Sequence, residues 1–192
     1  MTFRTISVIG LLLLSFLCHG RDSFFSTPSN TSWFGGPQLK YAEIGDDGRF
    51  MLGAKGGTVF GNDIHAFYIG GAGYGMLEPV SIADSEDYTF VYGGLILGYA
   101  YQPEKLVHWK SECLLGAGNI TILDDNRVKG DKNYGVLLGE LYSGAEFNVT
   151  DFLQVGIGAF YRLSTEPDHE GISADDLSGP GISIDFEFGY FH

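Results

Sequence analysis

Cysteine is nearly absent: the 192 residues hold two, and Cys18 directly follows an apolar N-terminal run. Cys113 is then alone in the body of the chain, and one thiol builds neither an internal disulfide nor a structural zinc site. Cations are scarce too, with 11 Lys and Arg against 24 Asp and Glu and a formal net charge of −13. Nucleic-acid and phosphate surfaces need clustered Lys and Arg, so that class is excluded. Charged residues make up only 18% of the chain, too few for a solvated, disordered acidic protein. From Pro37 onward no apolar pattern of helical period appears, and no HExxH, paired His/Cys spacing or nucleophile elbow occurs anywhere. Abundant instead are glycine, 29 residues without a collagen period, and aromatics at 15%. At ~100–200 residues per domain, the length supports one folded domain.

The chain opens with a basic start, Met1 to Arg4, and an apolar run from Ile6 to Leu17. Cys18 and Gly20 are the small residues of a cleavage site after Gly20, so residues 1–20 read as a secretory signal peptide. The run is too short to span a membrane as a helix. Lipidation of Cys18 would want a small residue before it, where Leu17 stands. Residues 21–36 read as a polar periplasmic leader, and 37–192 as the folded domain.

That domain alternates with a period of two. Leu153, Val155, Ile157, Ala159, Tyr161 and Leu163 share one face, against Gln154, Gly156, Gly158, Phe160 and Arg162. Near the end, Ile182, Ile184, Phe186, Phe188 and Tyr190 oppose Ser183, Asp185, Glu187 and Gly189. Uninterrupted outward apolar runs of this length suit a face that meets lipid. The same rule predicts strands near 37–44, 49–60, 64–78, 88–101, 107–122, 134–148, 152–164 and 180–191. In the third, His65, Phe67 and Ile69 favour one parity and Tyr68, Ala72 and Tyr74 the other, which leaves its facing open. Gly61–Asp63, Gln102–Leu106 and Val149–Asp151 are tight turns. Pro79–Asp87, Leu123–Asn133 and Thr165–Gly179 are long, polar and acidic, and only Gly45–Gly48 on that side is short. Alternating short and long connections around an even strand count predict an all-β, eight-stranded antiparallel up-and-down transmembrane β-barrel. In-strand glycines suit its tight curvature. Aromatics beside the short turns (Phe60, Phe67, Tyr99, Tyr101, Trp109, Phe147, Phe152, Tyr190) form an interfacial girdle.

The run Gly156–Arg162, then Asp176–Pro180, then the terminal alternating strand resemble the small outer-membrane barrels of the OmpA/OmpX type, most of all an uncharacterised bacterial group of them. The resemblance implies fold and location only, because fold alone licenses no activity. Phe186, Phe188, Tyr190 and Phe191 are similar to the C-terminal assembly signal of such proteins, although His192 follows here. It implies as partners outer-membrane lipid and the barrel-assembly machinery.

Inward positions carry charge: Lys55, Lys110, Glu112, Glu140, Glu146, Arg162, Asp185 and Glu187. A lumen this small is filled by side chains, so these are expected to pair as an internal polar network. A three-residue turn at Val149–Asp151 would set Asn148 opposite Phe152 and Phe160 opposite Glu140. Arg162 is then expected to meet Glu140, Asp185 or Glu187. The acidic pairs Asp46-Asp47, Asp124-Asp125 and Asp175-Asp176 are candidate sites for divalent cations, though none has an EF-hand spacing. The reading is a monomeric, non-enzymatic outer-membrane protein, structural or surface-binding through acidic outer loops, without cofactor. Three alternatives share the pattern. A narrow channel would need an unfilled lumen. A membrane-embedded lipid-modifying enzyme would need a converging nucleophile and base, whereas His108 and Ser111, three apart on a strand, face opposite sides. A secreted soluble ligand-binding barrel would need the opposite parity in the last strands.

Overall fold

The computed structural model describes residues 31–189, apart from 46, 83–85, 125–126 and 169–170; the expected signal peptide, Tyr190 and Phe191 lie outside the described residues. Nine strands follow in chain order: β1 Thr31–Ile44, β2 Asp47–Gly61, β3 His65–Met76, β4 Val80–Ile82, β5 Glu86–Tyr101, β6 Val107–Asp124, β7 Arg127–Thr150, β8 Leu153–Ser164 and β9 Gly179–Gly189. A single helical turn, α1 (Ala174–Leu177), precedes β9. Eight of the strands form one closed antiparallel barrel; β1 pairs with β9, β3 pairs with β5, and the short β4 only lengthens the edge of β5. Closure pairs the main-chain polar groups within the sheet, which is what lets a sheet stand in hydrocarbon.

The outer wall is apolar. Leu39, Leu52, Ile69, Leu95, Leu97, Leu115, Leu137, Leu141, Ile157, Leu163, Ile182 and Ile184 are large, hydrophobic and exposed. At the end of the short turns the wall becomes aromatic. Phe60 stacks on Phe67, Phe67 meets Tyr99 at a tilt of 53°, and Tyr99 meets the edge of Trp109, with centroids 5.4–6.0 Å apart. The Trp109 indole donates to Ser143 Oγ at 2.9 Å.

Glycine permits the curvature where strands press together. A Cβ on Gly57 would lie 2.2 Å from the Ile69 carbonyl, and one on Gly116 would lie 2.1 Å from that of Gly93. Their cross-strand partners, Gly70 and Gly94, are bound by the same closeness. At the seam, a Cβ on Gly36 would fall 1.7 Å from the Phe186 carbonyl.

Several expected boundaries move. β1 begins at Thr31, so Thr31–Gly36 is strand and not leader; it pairs with Gly56–Phe60 and Lys55 of β2. Gly35, Gly36 and Pro37 hide its alternation in the sequence. The expected Leu123–Asn133 loop is mostly hairpin, because Leu123 pairs with Val128 and Asp124 with Arg127 beyond a register shift after Thr121. The third strand has one parity throughout: Ala66, Tyr68 and Tyr74 are buried inside while His65, Phe67 and Ile69 are exposed. Its two sequence signals describe the two faces, since tyrosine lines this lumen.

Candidate functional site

Side chains fill the lumen in layers. At the end of the long connections an apolar cork packs Ile44, Met51, Val80, Tyr88, Phe90, Ile120, Ile122, Ile172 and Leu177, all buried. Leu177 enters from α1, whose first turn is fixed by a capping box between Ser173 and Asp176. Arg162, wholly buried, holds this cork in place. Its Nε donates to the Leu177 carbonyl at 2.6 Å and one terminal nitrogen to the Glu43 carbonyl at 3.4 Å. The guanidinium also lies over the rings of Phe90 and Tyr92, at 5.5 and 5.4 Å.

This corrects the expected ion pair. Arg162 stands directly opposite Glu140, because the β7–β8 connection is bulged and Asn148 faces Gln154, two positions from the expected Phe152. Yet among the described residues no carboxylate is within salt-bridge reach of Arg162. Glu140 is paired instead with Lys40 and accepts from the Tyr92 hydroxyl at 2.8 Å. The Lys40 ammonium also sits 3.6 Å from the centre of the Tyr74 ring. Lys40 is the interior cation that sequence reasoning missed. Outward Leu39 and Tyr41 put it inside by parity, but the alternation inverts at once, with Ala42 and Ile44 buried and Glu43 exposed.

The middle of the lumen holds the remaining charges. The Lys55 ammonium lies 2.7 Å from Glu187, 3.0 Å from Glu112 and 3.4 Å from Asp185. The Lys110 ammonium lies 2.7 Å from Glu187, 2.8 Å from Glu146 and 3.2 Å from Glu112. Glu146 also meets His108 Nε2 at 3.0 Å. Gln38 donates to Asp185 and Ser183, both at 3.3 Å, and accepts from Tyr74. Lys40, Lys55, Lys110 and Arg162 thus stand against Glu112, Glu140, Glu146, Asp185 and Glu187. Oxygens of Glu146, Asp185 and Glu187 come within 4.8 Å of one another, as a metal site would require. The two lysine ammoniums already lie among them, so the cluster is an internal salt. Between the two halves a void of about 10 Å³, bordered by Gln38, Glu112, Glu140 and Tyr142, has roughly the room of one water.

At the short-turn end a cavity of about 120 Å³ is lined by Val59, Asn62, Tyr68 and Gln154. No catalytic constellation forms among the described residues: His108 points inward to Glu146, whereas Ser111 is on the outward parity of β6. Phe186 and Phe188 of the expected assembly signal are exposed on the outer wall.

No protein-family model and no curated protein matches this chain. Solved structures do match. Neisserial surface protein A is 9% identical, covers 87% of this chain and 100% of its own, and superposes with a TM-score of 0.55. Ail of Yersinia pestis, in complex with the heparin analogue sucrose octasulfate, is 14% identical over 83% of this chain and 97% of its own, with a TM-score of 0.52. The N-terminal β-barrel domain of Pseudomonas aeruginosa OprF is 10% identical over 84% of this chain and 98% of its own, at 0.50. The fold is that of the small eight-stranded outer-membrane barrels.

Proposed function

We propose that this chain is a monomeric protein of the bacterial outer membrane that acts by binding at the cell surface, with neither catalysis nor conduction and with no cofactor. The observation that carries the reading is a barrel whose wall is apolar outside and whose lumen is filled by an internal salt beneath an apolar cork. Such a body is built to sit in lipid and offers little through-path for solutes. Its long connections then face the outside, and its short turns, the start of β1 and the end of β9 face the periplasm. Export would remove residues 1–20, and the barrel-assembly machinery would read the terminal Phe186, Phe188, Tyr190 and Phe191. The outer connections are rich in acid, with Asp46-Asp47, Asp124-Asp125 and Asp175-Asp176 among them. Like charge of this density favours divalent cations or basic partners and repels bare phosphate.

Fractionation tests the location: the protein should sediment with outer membranes, need detergent for release and migrate differently in unheated and boiled gel samples. Vesicles carrying it should adhere to cells, and Glu166→Gln with Asp168→Asn and Asp175→Asn should weaken that adherence or its dependence on divalent cations. Recovery as a soluble periplasmic protein, stepwise currents across a planar bilayer, or a lipase or acyltransferase activity would each overturn the reading.

A further inference from the structure

Above the cork, at the end of the long connections, lies a recess of about 310 Å³. That is at the lower end of the ~300–1,000 Å³ typical of ligand pockets. Its floor is Val80 and Tyr88, which are 8% and 3% exposed. Arg49 and Asp176 border it, with Asp47 at the rim. Gly45 turns the chain here with φ +64°, and a Cβ on it would stand 3.6 Å from the Tyr88 hydroxyl and 3.7 Å from Val80 Cγ1. Glycine therefore keeps the floor uncovered.

Among the described residues two donors of this recess have no partner: the Tyr88 hydroxyl and Arg49 Nε are both buried and unbonded. Each such group costs about 1–3 kcal/mol unless something accepts from it. The rest of the Arg49 guanidinium donates to Asp47 at 3.0 Å, and its side chain, 21% exposed, is reached from outside. Carboxylates supply the complementary function. Asp47 is 71% exposed, and Asp176 accepts from the Ser173 amide and hydroxyl at 2.7 and 2.8 Å. The site thus combines unsatisfied donors with acceptors and has two acids for one base.

This combination selects among ligand classes. A bare cation would suit Asp47 and Asp176 but would leave both donors unsatisfied. A sulfate or carboxylate would accept from the donors but meet two carboxylates in an already acidic loop region. A hydroxyl both donates and accepts, and a sugar ring adds an apolar face to lie on Val80 and the Tyr88 ring. We propose that this recess binds an uncharged saccharide ring, with Tyr88 and Arg49 donating to its oxygens and Asp47 and Asp176 accepting from its hydroxyls. The assignment rests on the surface-binding reading above and names the ligand class of this one recess at the outer end.

The test uses the full chain in phosphatidylcholine vesicles, which carry no sugar headgroup. The vesicles are applied to a glycan array with neutral, sulfated and sialylated ends on matched cores, and adherence to cells is measured in parallel. Neutral ends should be preferred. Tyr88→Phe should weaken that binding about three- to tenfold, the loss of one neutral hydrogen bond, and Arg49→Gln about tenfold or more, the loss of a charged one. Lys105→Gln, exposed in the short turn between β5 and β6 at the opposite end of the barrel, should leave it unchanged. Heat-dependent gel migration verifies that each variant is folded, and Tyr88→Phe alone suffices where Arg49→Gln is not. Preference for sulfated ends, or undiminished neutral binding by folded Tyr88→Phe, overturns the saccharide site. Adherence to cells without array binding also overturns it, yet leaves surface binding standing. Binding to neither cells nor glycans overturns both.

Discussion

Replacing Lys110 by Met tests whether the lumen is a salt that stabilises the barrel. Methionine keeps most of the volume and removes the charge. Lys110 is 0% exposed and touches Glu187 and Glu146 at 2.7 and 2.8 Å. Hydrogen bonds to charged groups are worth about 1.5–3 kcal/mol each. The loss is softened because Glu187 keeps Lys55 at 2.7 Å and Glu146 keeps His108 at 3.0 Å. The expected cost is therefore that of breaking one buried pair, about 3–5 kcal/mol. That corresponds to about two to four powers of ten in the ratio of folded to unfolded protein. Urea unfolding in vesicles, followed by heat-dependent gel migration, reads it as a lowered midpoint. Adding Glu146→Gln should return part of the loss, because it removes a carboxylate left with too little compensation. A cost under about 1 kcal/mol, the range of exposed pairs, would refute the reasoning, as would a double variant no more stable than Lys110→Met.

Three further outcomes are expected. Arg162→Leu should cost about 1.5–3 kcal/mol through its bond to the Leu177 carbonyl; limited proteolysis should then cut within residues 165–178 while the barrel stays resistant. Leu141→Arg, at a wall position 64% exposed, should destabilise by about 2–4 kcal/mol if it lies at mid-membrane; Leu106→Arg, in the turn between β5 and β6, should be close to neutral in the same urea titration. Trp33 and Trp109, the two tryptophans of the chain, are both exposed near the short turns. Lipids brominated near the headgroup should quench their fluorescence more than lipids brominated deep in the acyl chain, and the reverse order would misplace the aromatic belt.

The architecture was legible because lipid and lumen impose opposite chemistry on alternate residues, and Phe152–Leu163 and Ile182–Tyr190 write that alternation plainly. Where one face is glycine the contrast fades, and this is why Thr31–Gly36 passes for leader. Register was harder. The partner of Arg162 depends on whether the chain bulges between Asn148 and Thr150, and a single extra residue in a turn leaves no mark on hydropathy. Tertiary competition was hidden altogether. Lys40, far from Glu140 in sequence, takes the carboxylate opposite Arg162, while Arg162 turns to main-chain carbonyls of α1 and β1. The pairing of Tyr88 and Arg49 around one recess was equally invisible, since their strands, β5 and β2, do not pair with each other but each with β3.

The pairs Gly57–Gly70 and Gly94–Gly116 bear on how such a sequence drifts over generations. A leucine on the outer wall is largely exposed, 60% at Leu115 and 64% at Leu141, and on the membrane reading isoleucine, valine or phenylalanine would serve there as well. A side chain at Gly57 or Gly116 would meet the main chain of the adjacent strand at 2.1–2.2 Å, and no neighbouring substitution can move a carbonyl aside without parting the strands. Random mutagenesis followed by selection for assembled barrels should therefore return glycine at these four sites and a mixture of apolar residues around them. Ancestry in this protein is then carried by places where a side chain is missing, and a search for its distant kin gains more from the spacing of those gaps than from the identity of any residue that faces the membrane.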